Sequence, residues 1–501
     1  MLFHSYVFLL AFLPVTVIVY YLLGRRHKEL SLAWLAAASL FFYSWWNPRY
    51  LPLLVASIFF NYLAGVNISR NREGNKGAAK RFLYYGIAGN LSLLCYYKYM
   101  NFFVQNVNEV FGSSFIANNL ILPLGISFYT FTQIAMLVDF YKGTAKEYNF
   151  IHCVLFVSYF PHLIAGPIIH HKDVMPQFAR AELMPDSREF LQGVVIFFLG
   201  LLKKTVFADS LAPYPTSVFA AAGHGGAIGF VDAWAGSVAY SMQLYFDFSG
   251  YSDMAIGLSL LFGIKLPVNF NSPYKADSII DFWRRWHITL SKFFQEYVFY
   301  PLIFSKFCRK YLQVPALAGG KKLDLNLEIN FIVVMILIGF WHTANWQCIL
   351  YGVLQGIYLA TNNLFHTFFG KNRFNTPLGR TFTTILTFTA VVISLAVFRS
   401  ESMTGVRMMV SGMADIQGVF QPGGQLTLMT GALLAVSCVI AWFFPNVQEI
   451  VGKISERFKE TRFSFAAIIY GIIIFYVAVL TALIITQPPN EQARPFLYFD
   501  F

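Results

Sequence analysis

Apolar runs of nearly constant length recur along the whole chain, and the charged residues collect in the short gaps between them. A helix that crosses a membrane needs about 20 mainly apolar residues. Segments 5–24, 31–46, 50–66, 82–100, 119–140, 190–210, 229–246, 326–342, 344–362, 380–398, 426–445 and 464–485 meet or approach that length. Three further stretches, 148–169, 252–266 and 291–305, are apolar but shorter or interrupted, and read as tilted, re-entrant or interfacial elements. The pattern predicts an all-α polytopic membrane protein with about ten to thirteen spans. The first run, SYVFLLAFLPVTVIVYYLLG, has no basic stretch before it and no small-residue cleavage site, so it reads as a retained helix rather than a signal peptide.

The gaps also orient the chain. Arg25, Arg26 and Lys28 follow the first run, Arg70, Arg72, Lys76, Lys80 and Arg81 follow the third, and Lys142 and Lys146 follow the fifth. Between these, 47–49 carries one positive charge and 101–118 carries no Lys or Arg. Positive charge stays on the cytoplasmic side, which places the N-terminus outside. Lys453, Arg457, Lys459 and Arg462 mark another cytoplasmic gap, so a final helix would carry the C-terminus outside as well.

Composition agrees with this reading. Of the 501 residues 57% are hydrophobic and 12% charged, against about 25% charged in ordinary soluble domains. A soluble chain of this length could not cover its surface with so few charges. The net charge of +12 sits in the gaps, where topology control and anionic headgroups call for it, and no nucleic-acid signature accompanies it. The five cysteines are scattered through apolar sequence and imply no disulfide framework.

One region breaks the pattern. Residues 243–301 interleave aromatic side chains with Asp247, Asp253, Asp281, Arg284, Arg285, His287 and Lys292. Charge at membrane depth is costly unless it lines a cavity or is paired. Pro267 and Pro273 bracket VNFNS, which predicts irregular backbone there. We expect a polar chamber, with Asp247, Asp253, Asn269 and Asn271 as its structural polar residues.

Of the ten histidines, His4, His27, His224 and His366 fall near segment ends, and His170-His171 runs into Lys172 and Asp173, all positions expected at an interfacial or solvated face. His152 and His162 read as helix-packing donors. His287 and His342 lie where an imidazole is hard to explain by solvation: His342 directly follows EINFIVVMILIGFW, and His287 sits in DFWRRWHITLSKFF. Read as one helix, the second stretch turns Arg284 and His287 to the same face. A neutral histidine beside a polar chamber suits general-base work, and a carbonyl-bonded packing histidine is the alternative. The chain has no GxSxG, GxxxxGK[ST] or HExxH, and its histidines are too dispersed to define a metal site. Direct transfer between two bound substrates, or transport through the chamber without a covalent step, remains.

Five stretches together, LPLGISFYTFTQIAMLVDFYKG (122–143), FPHLIAGPIIHHKDVMPQF (160–178), QLYFDFSGYSDMAIGLSLLFGIKLPVNFNSPY (243–274), DFWRRWHITLSKFFQEYVFYPL (281–302) and GFWHTANWQCILYG (339–352), resemble the membrane-bound O-acyltransferases. The likeness is to the bacterial branch that acetylates alginate or moves D-alanine to teichoic acids. It implies a ring of membrane helices around a thin central chamber, with re-entrant and amphipathic helices, over a core of residues 1–400, and additional C-terminal helices over 401–501. It implies an enzyme of the bacterial inner membrane that takes an acyl group from a cytoplasmic donor, acetyl-CoA by expectation, toward an extracytoplasmic polysaccharide or a periplasmic acyltransferase partner, with no tightly bound cofactor. D-alanyl transfer from a carrier protein to a teichoic-acid-like polymer is the alternative. His342 falls on the family's active-site histidine and His287 on its second histidine. Arg284, Arg285, Trp341, Asn345 and Tyr274 are candidates for substrate or donor contact. Two departures stand out: Thr343 replaces the glycine of a common WHG, and 305–322 lacks an LGGNR-like sequence. The roughly 150 residues after His342 suit the acetylating members.

Overall fold

The computed structural model describes residues 1–116, 121–145, 149–180, 187–312, 325–370, 374, 376–416, 424–457 and 495–497. The expected run at 464–485 lies outside the described residues. Among the described residues every regular element is a helix. Helix ends fall where local chemistry asks for them. Asn75 accepts a hydrogen bond from the Ala78 N–H at the start of Lys76–Leu94, and Gly143 (φ 77°) closes Ile126–Lys142 in the left-handed region open to glycine.

Three described helices are long and apolar enough to cross a membrane, Pro48–Asn71, Ser187–Leu211 and Pro377–Arg399. A fourth crossing results if Leu428–Phe443 and Val447–Ile454, bent by 56°, form one span. Among the described residues this is fewer than the apolar runs suggested, and local features account for several of the differences. Phe8–Gly24 and Asn326–His342 are apolar but shorter. The run at 82–100 is interrupted by a π-helical turn at Cys95–Tyr99, and within the run at 119–140 the described helix begins at Ile126, after Pro123 and Gly125. The run at 229–246 continues instead as Phe230–Leu260, a helix carrying three aspartates. Faces left outward are apolar: Leu22, Phe59, Phe382 and Ile385 are each at least 50% exposed. The molecule is a multi-pass membrane protein whose exposed helix faces meet lipid.

The chain divides into two compact units interleaved in sequence. One comprises Met1–Leu202, Gly250–Val268 and Val447–Asp500. Its helices are joined by buried amides: Asn61 and Asn90 bond each other at 2.6 and 3.2 Å, and Gln133 Oε1 accepts from Asn61 Nδ2 at 3.0 Å and Ser57 Oγ at 2.9 Å. Such bonds hold membrane helices together where apolar contact gives no preference over lipid. His4, His170 and His171 are buried here, contrary to the interfacial placement expected. Aromatic neighbours account for two of them, with Phe496 5.2 Å from His4 and Phe140 5.1 Å from His171. His162 does act as a packing group, with Nε2 3.1 Å from the Phe156 carbonyl.

The other unit comprises Lys203–Ser249, Asn269–Asn446 and Phe501. Six helices build its two-histidine centre and the groove beside it: α1 (Phe230–Leu260, contributing 230–249 here), α2 (Ile279–Arg285), α3 (Ile288–Phe294), α4 (Leu325–His342), α5 (Trp346–Phe369) and α6 (Pro377–Arg399).

Candidate active site

The stretch DFWRRWHITLSKFF is not one helix. α2 ends at Arg285, Trp286 is extended (φ −101°, ψ 127°), and His287 takes a left-handed conformation (φ 42°, ψ 52°) before α3 begins. His287 and Ser272 are the only non-glycine residues with positive φ among the described residues. That conformation costs energy and persists only where surrounding contacts impose it. Here the irregular VNFNS segment does so. Ile288 N–H donates to the Asn269 carbonyl at 2.9 Å, and Asn271 N–H donates to the Arg285 carbonyl at 2.9 Å, so the segment bridges both sides of the break.

The break sends Arg284 and His287 in different directions: Arg284 is exposed, whereas His287 is fully buried. The shared face expected from a continuous helix is therefore absent. Arg285 is committed to Asp281, with Nε 2.7 Å from Oδ2. Arg284 has no hydrogen bond or ion pair among the described residues.

Asn269 determines how His287 presents its ring. Its Oδ1 accepts from Thr289 N–H at 3.2 Å and from Thr289 Oγ at 2.9 Å, and lies 3.1 Å from His287 Nδ1. A backbone N–H can only donate, so the atom facing Thr289 is the amide oxygen, and Nδ1 opposite it must carry a proton. In the neutral ring Nε2 then holds the lone pair. Asn269 thus caps α3 from outside that helix and fixes the imidazole tautomer with one atom.

His342 reaches the same place from α4. It is the last residue of that helix, and Thr343 lies just beyond the end rather than inside a helix. α4 is held by backbone-to-backbone packing on α5. A Cβ on Gly339 would overlap the Cys348 carbonyl, one on Gly352 would overlap the Met335 carbonyl, and one on Gly356 would fall 2.5 Å from Ile332 Cα. Small residues at four-residue spacing allow this approach. The ring centroids of His287 and His342 lie 6.4 Å apart. Phe248 (4.8 Å) and Phe270 (6.4 Å) flank His287, Phe398 (5.6 Å) flanks His342, and Trp341 lies beside both at 6.5 and 4.9 Å. His342 is 8% exposed. Thr343 Oγ1 is also buried and has no hydrogen-bond partner among the described residues.

The remaining candidates take other places. Asn345 caps α5, accepting from Cys348 N–H at 2.7 Å. Tyr274 is buried and donates to the Ser241 carbonyl at 2.7 Å. Asn271 is exposed and accepts from Asn446 Nδ2 at 2.8 Å. Asp247 pairs with buried Lys204 at 2.7 Å, and Lys204 also meets Asp209 at 2.9 Å. Asp253 belongs to the other unit. Of the residues expected to line a chamber, Asn269 bonds a histidine ring, that of His287. Sequence reasoning missed Lys204, Thr289 and Phe398; the lysine pair at 203–204, at the end of an apolar run, was a signal that two aspartates should be sought as partners.

A model of the membrane-bound O-acyltransferase family matches residues 82–404 of this chain. The chain is 40% identical over 448 residues to a peptidoglycan O-acetyltransferase of Helicobacter pylori, covering 84% of this chain and 81% of that protein. It is 38% identical over 453 residues to a probable alginate O-acetylase of Pseudomonas aeruginosa, covering 88% and 81%. A teichoic acid D-alanyltransferase of Bacillus subtilis is 32% identical over 279 residues, covering 55% of this chain and 67% of that protein.

Proposed function

The chain belongs to the membrane-bound O-acyltransferase family and is an O-acyltransferase, and from that premise we propose that it moves an acetyl group from cytoplasmic acetyl-CoA toward hydroxyls of an extracytoplasmic polysaccharide. The relatives matched over more than four-fifths of this chain are named for acetylation of peptidoglycan and alginate, whereas the D-alanyltransferase is matched over 55% of it. The enzyme sits in the bacterial inner membrane with both termini outside, and a periplasmic acyltransferase partner receives the group or passes it to the glycan.

The observation that carries the mechanism is the meeting of two imidazoles inside one aromatic shell, 6.4 Å apart. His342 is the general base. It takes the proton as the acceptor hydroxyl oxygen attacks the thioester carbonyl; a new C–O bond forms, the C–S bond breaks, and the proton returns to the leaving thiolate. An alcohol is a weak nucleophile until its proton has a destination, and such help gives roughly 10²–10⁴ in rate. His287, with Nδ1–H directed at Asn269, offers an acceptor at Nε2 and so orients a hydroxyl rather than donating to an oxyanion. Arg284, exposed near the end of α2, suits a phosphate of the donor.

The test is the glycan. Cells lacking the protein should lose O-acetyl groups from a surface polysaccharide, and restoration should require His342. Unchanged O-acetyl content with loss of D-alanine esters would transfer the assignment to D-alanylation. Donor uptake that survives His342→Ala without transfer would point to a channel.

A further inference from the structure

Between α5 and α6 runs a groove of about 670 Å³, lined by none of the residues placed around the two histidines. Ligand pockets occupy roughly 300–1,000 Å³. Its two ends differ in chemistry. Asn362, His366, Arg380 and Asp277 line the end near the α5–α6 connection, while Ile357, Leu386 and Ala390 line the other. Thr383, midway, directs its hydroxyl to the Gly379 and Arg380 carbonyls of its own helix at 3.1 and 3.0 Å, so the groove receives little polarity from it.

Length and charge identify an occupant. From Arg380 to Ala390 the wall rises about 15 Å at 1.5 Å per residue, the depth of one leaflet of a hydrocarbon core about 30 Å thick. α6 is one of the helices able to cross a membrane, and Phe382 and Leu386 on the groove's rim are each 57% exposed, so the groove opens toward lipid. Segment 370–380 carries Lys371, Arg373 and Arg380 and no acid; among the described residues Asp277 is the one carboxylate lining the groove.

We propose that this groove binds one anionic phospholipid, its phosphate at Arg380 and an acyl chain against Ile357, Leu386 and Ala390, and that the lipid braces α2. Ser278 and Ile279 at the start of α2 form part of the wall, and Ile280 N–H donates to Asn362 Oδ1 at 3.4 Å. The helix so supported is the one that ends at the His287 break.

Native mass spectrometry of the full chain from nanodiscs of phosphatidylglycerol or phosphatidylcholine tests the site. The unaltered protein should retain phosphatidylglycerol about fivefold over phosphatidylcholine, the scale of one basic contact with an anionic lipid. Arg380→Glu should abolish that preference, and Thr387→Phe, which fills the groove, should abolish retention of both; Ala390→Phe serves if Thr387→Phe does not accumulate. Amide hydrogen exchange over 279–286 should slow in phosphatidylglycerol for the unaltered protein and be lipid-independent in Arg380→Glu. This readout needs no acyl transfer, so its failure is separate from failure of the proposed activity. Equal retention of both lipids by the unaltered protein, or equal retention by all variants, overturns the site, and selective retention without a change in exchange overturns the brace.

Discussion

Replacing Asn269 by alanine probes the structural idea that one oxygen both caps α3 and sets His287. The substitution removes the acceptor of three contacts: Thr289 N–H, Thr289 Oγ–H and His287 Nδ1–H. The hydroxyl can rotate to another acceptor, which leaves two fixed donors buried and unpaired, at about 1–3 kcal/mol each. The expected destabilisation is therefore about 2–6 kcal/mol, a large part of the roughly 5–15 kcal/mol by which domains are stable. Asn269→Ala should lower the melting temperature in detergent and also lower acetyl transfer per folded molecule, because the ring loses both its tautomer and its aim. The decisive measurement is a double-mutant cycle on transfer rate, using Asn269→Ala, His287→Ala and the pair. If Asn269 acts through His287, the double variant should be about as active as His287→Ala alone, since residues acting as a unit are not additive. Multiplying losses would refute the reasoning and give Asn269 a role of its own, and full activity in folded Asn269→Ala would remove it from the site.

Other outcomes rest on the same geometry. His342→Ala should leave an inserted, folded protein with transfer down by at least about 10², the low end for a lost general base; loss of the protein itself would favour a packing role. His287→Ala should cost less than that, and an equal or greater loss would exchange the two roles. Gly352→Val should reduce the yield of monodisperse protein on fluorescence size exclusion, since the Met335 carbonyl occupies the space and overpacking costs about 1–3 kcal/mol. Lys204→Met should be destabilising by about 3–5 kcal/mol because it strands Asp247 and Asp209, and adding Asp247→Asn with Asp209→Asn should recover much of the lost melting temperature. Cysteines placed singly at 72–78 should resist a membrane-impermeant thiol reagent applied from outside sealed cells, and labelling there would invert the topology.

Sequence alone determined the class of molecule and singled out two histidines that the fold brings to within 6.4 Å of each other. Apolar runs with charge gathered mainly in the gaps admit a membrane protein and little else, because uncompensated charge at membrane depth is too costly. The ordered motifs carried the family, and with it His287 and His342. Prolines 267 and 273 announced the irregular segment between them, since proline denies the backbone a donor. What the sequence could not give was which partners each polar group would find. The local pattern of WRRWH is as compatible with a helix as with a break, and only the distant pairing of 269–271 with 285–288 makes the break. Arg284 therefore parts from His287, Asn269 becomes a cap for a helix it does not belong to, and Asp247 finds Lys204, 43 residues away in sequence. Local periodicity reports which side of a helix a residue occupies; hydrogen bonds made across large sequence separation decide where the helix stops and how an imidazole is held.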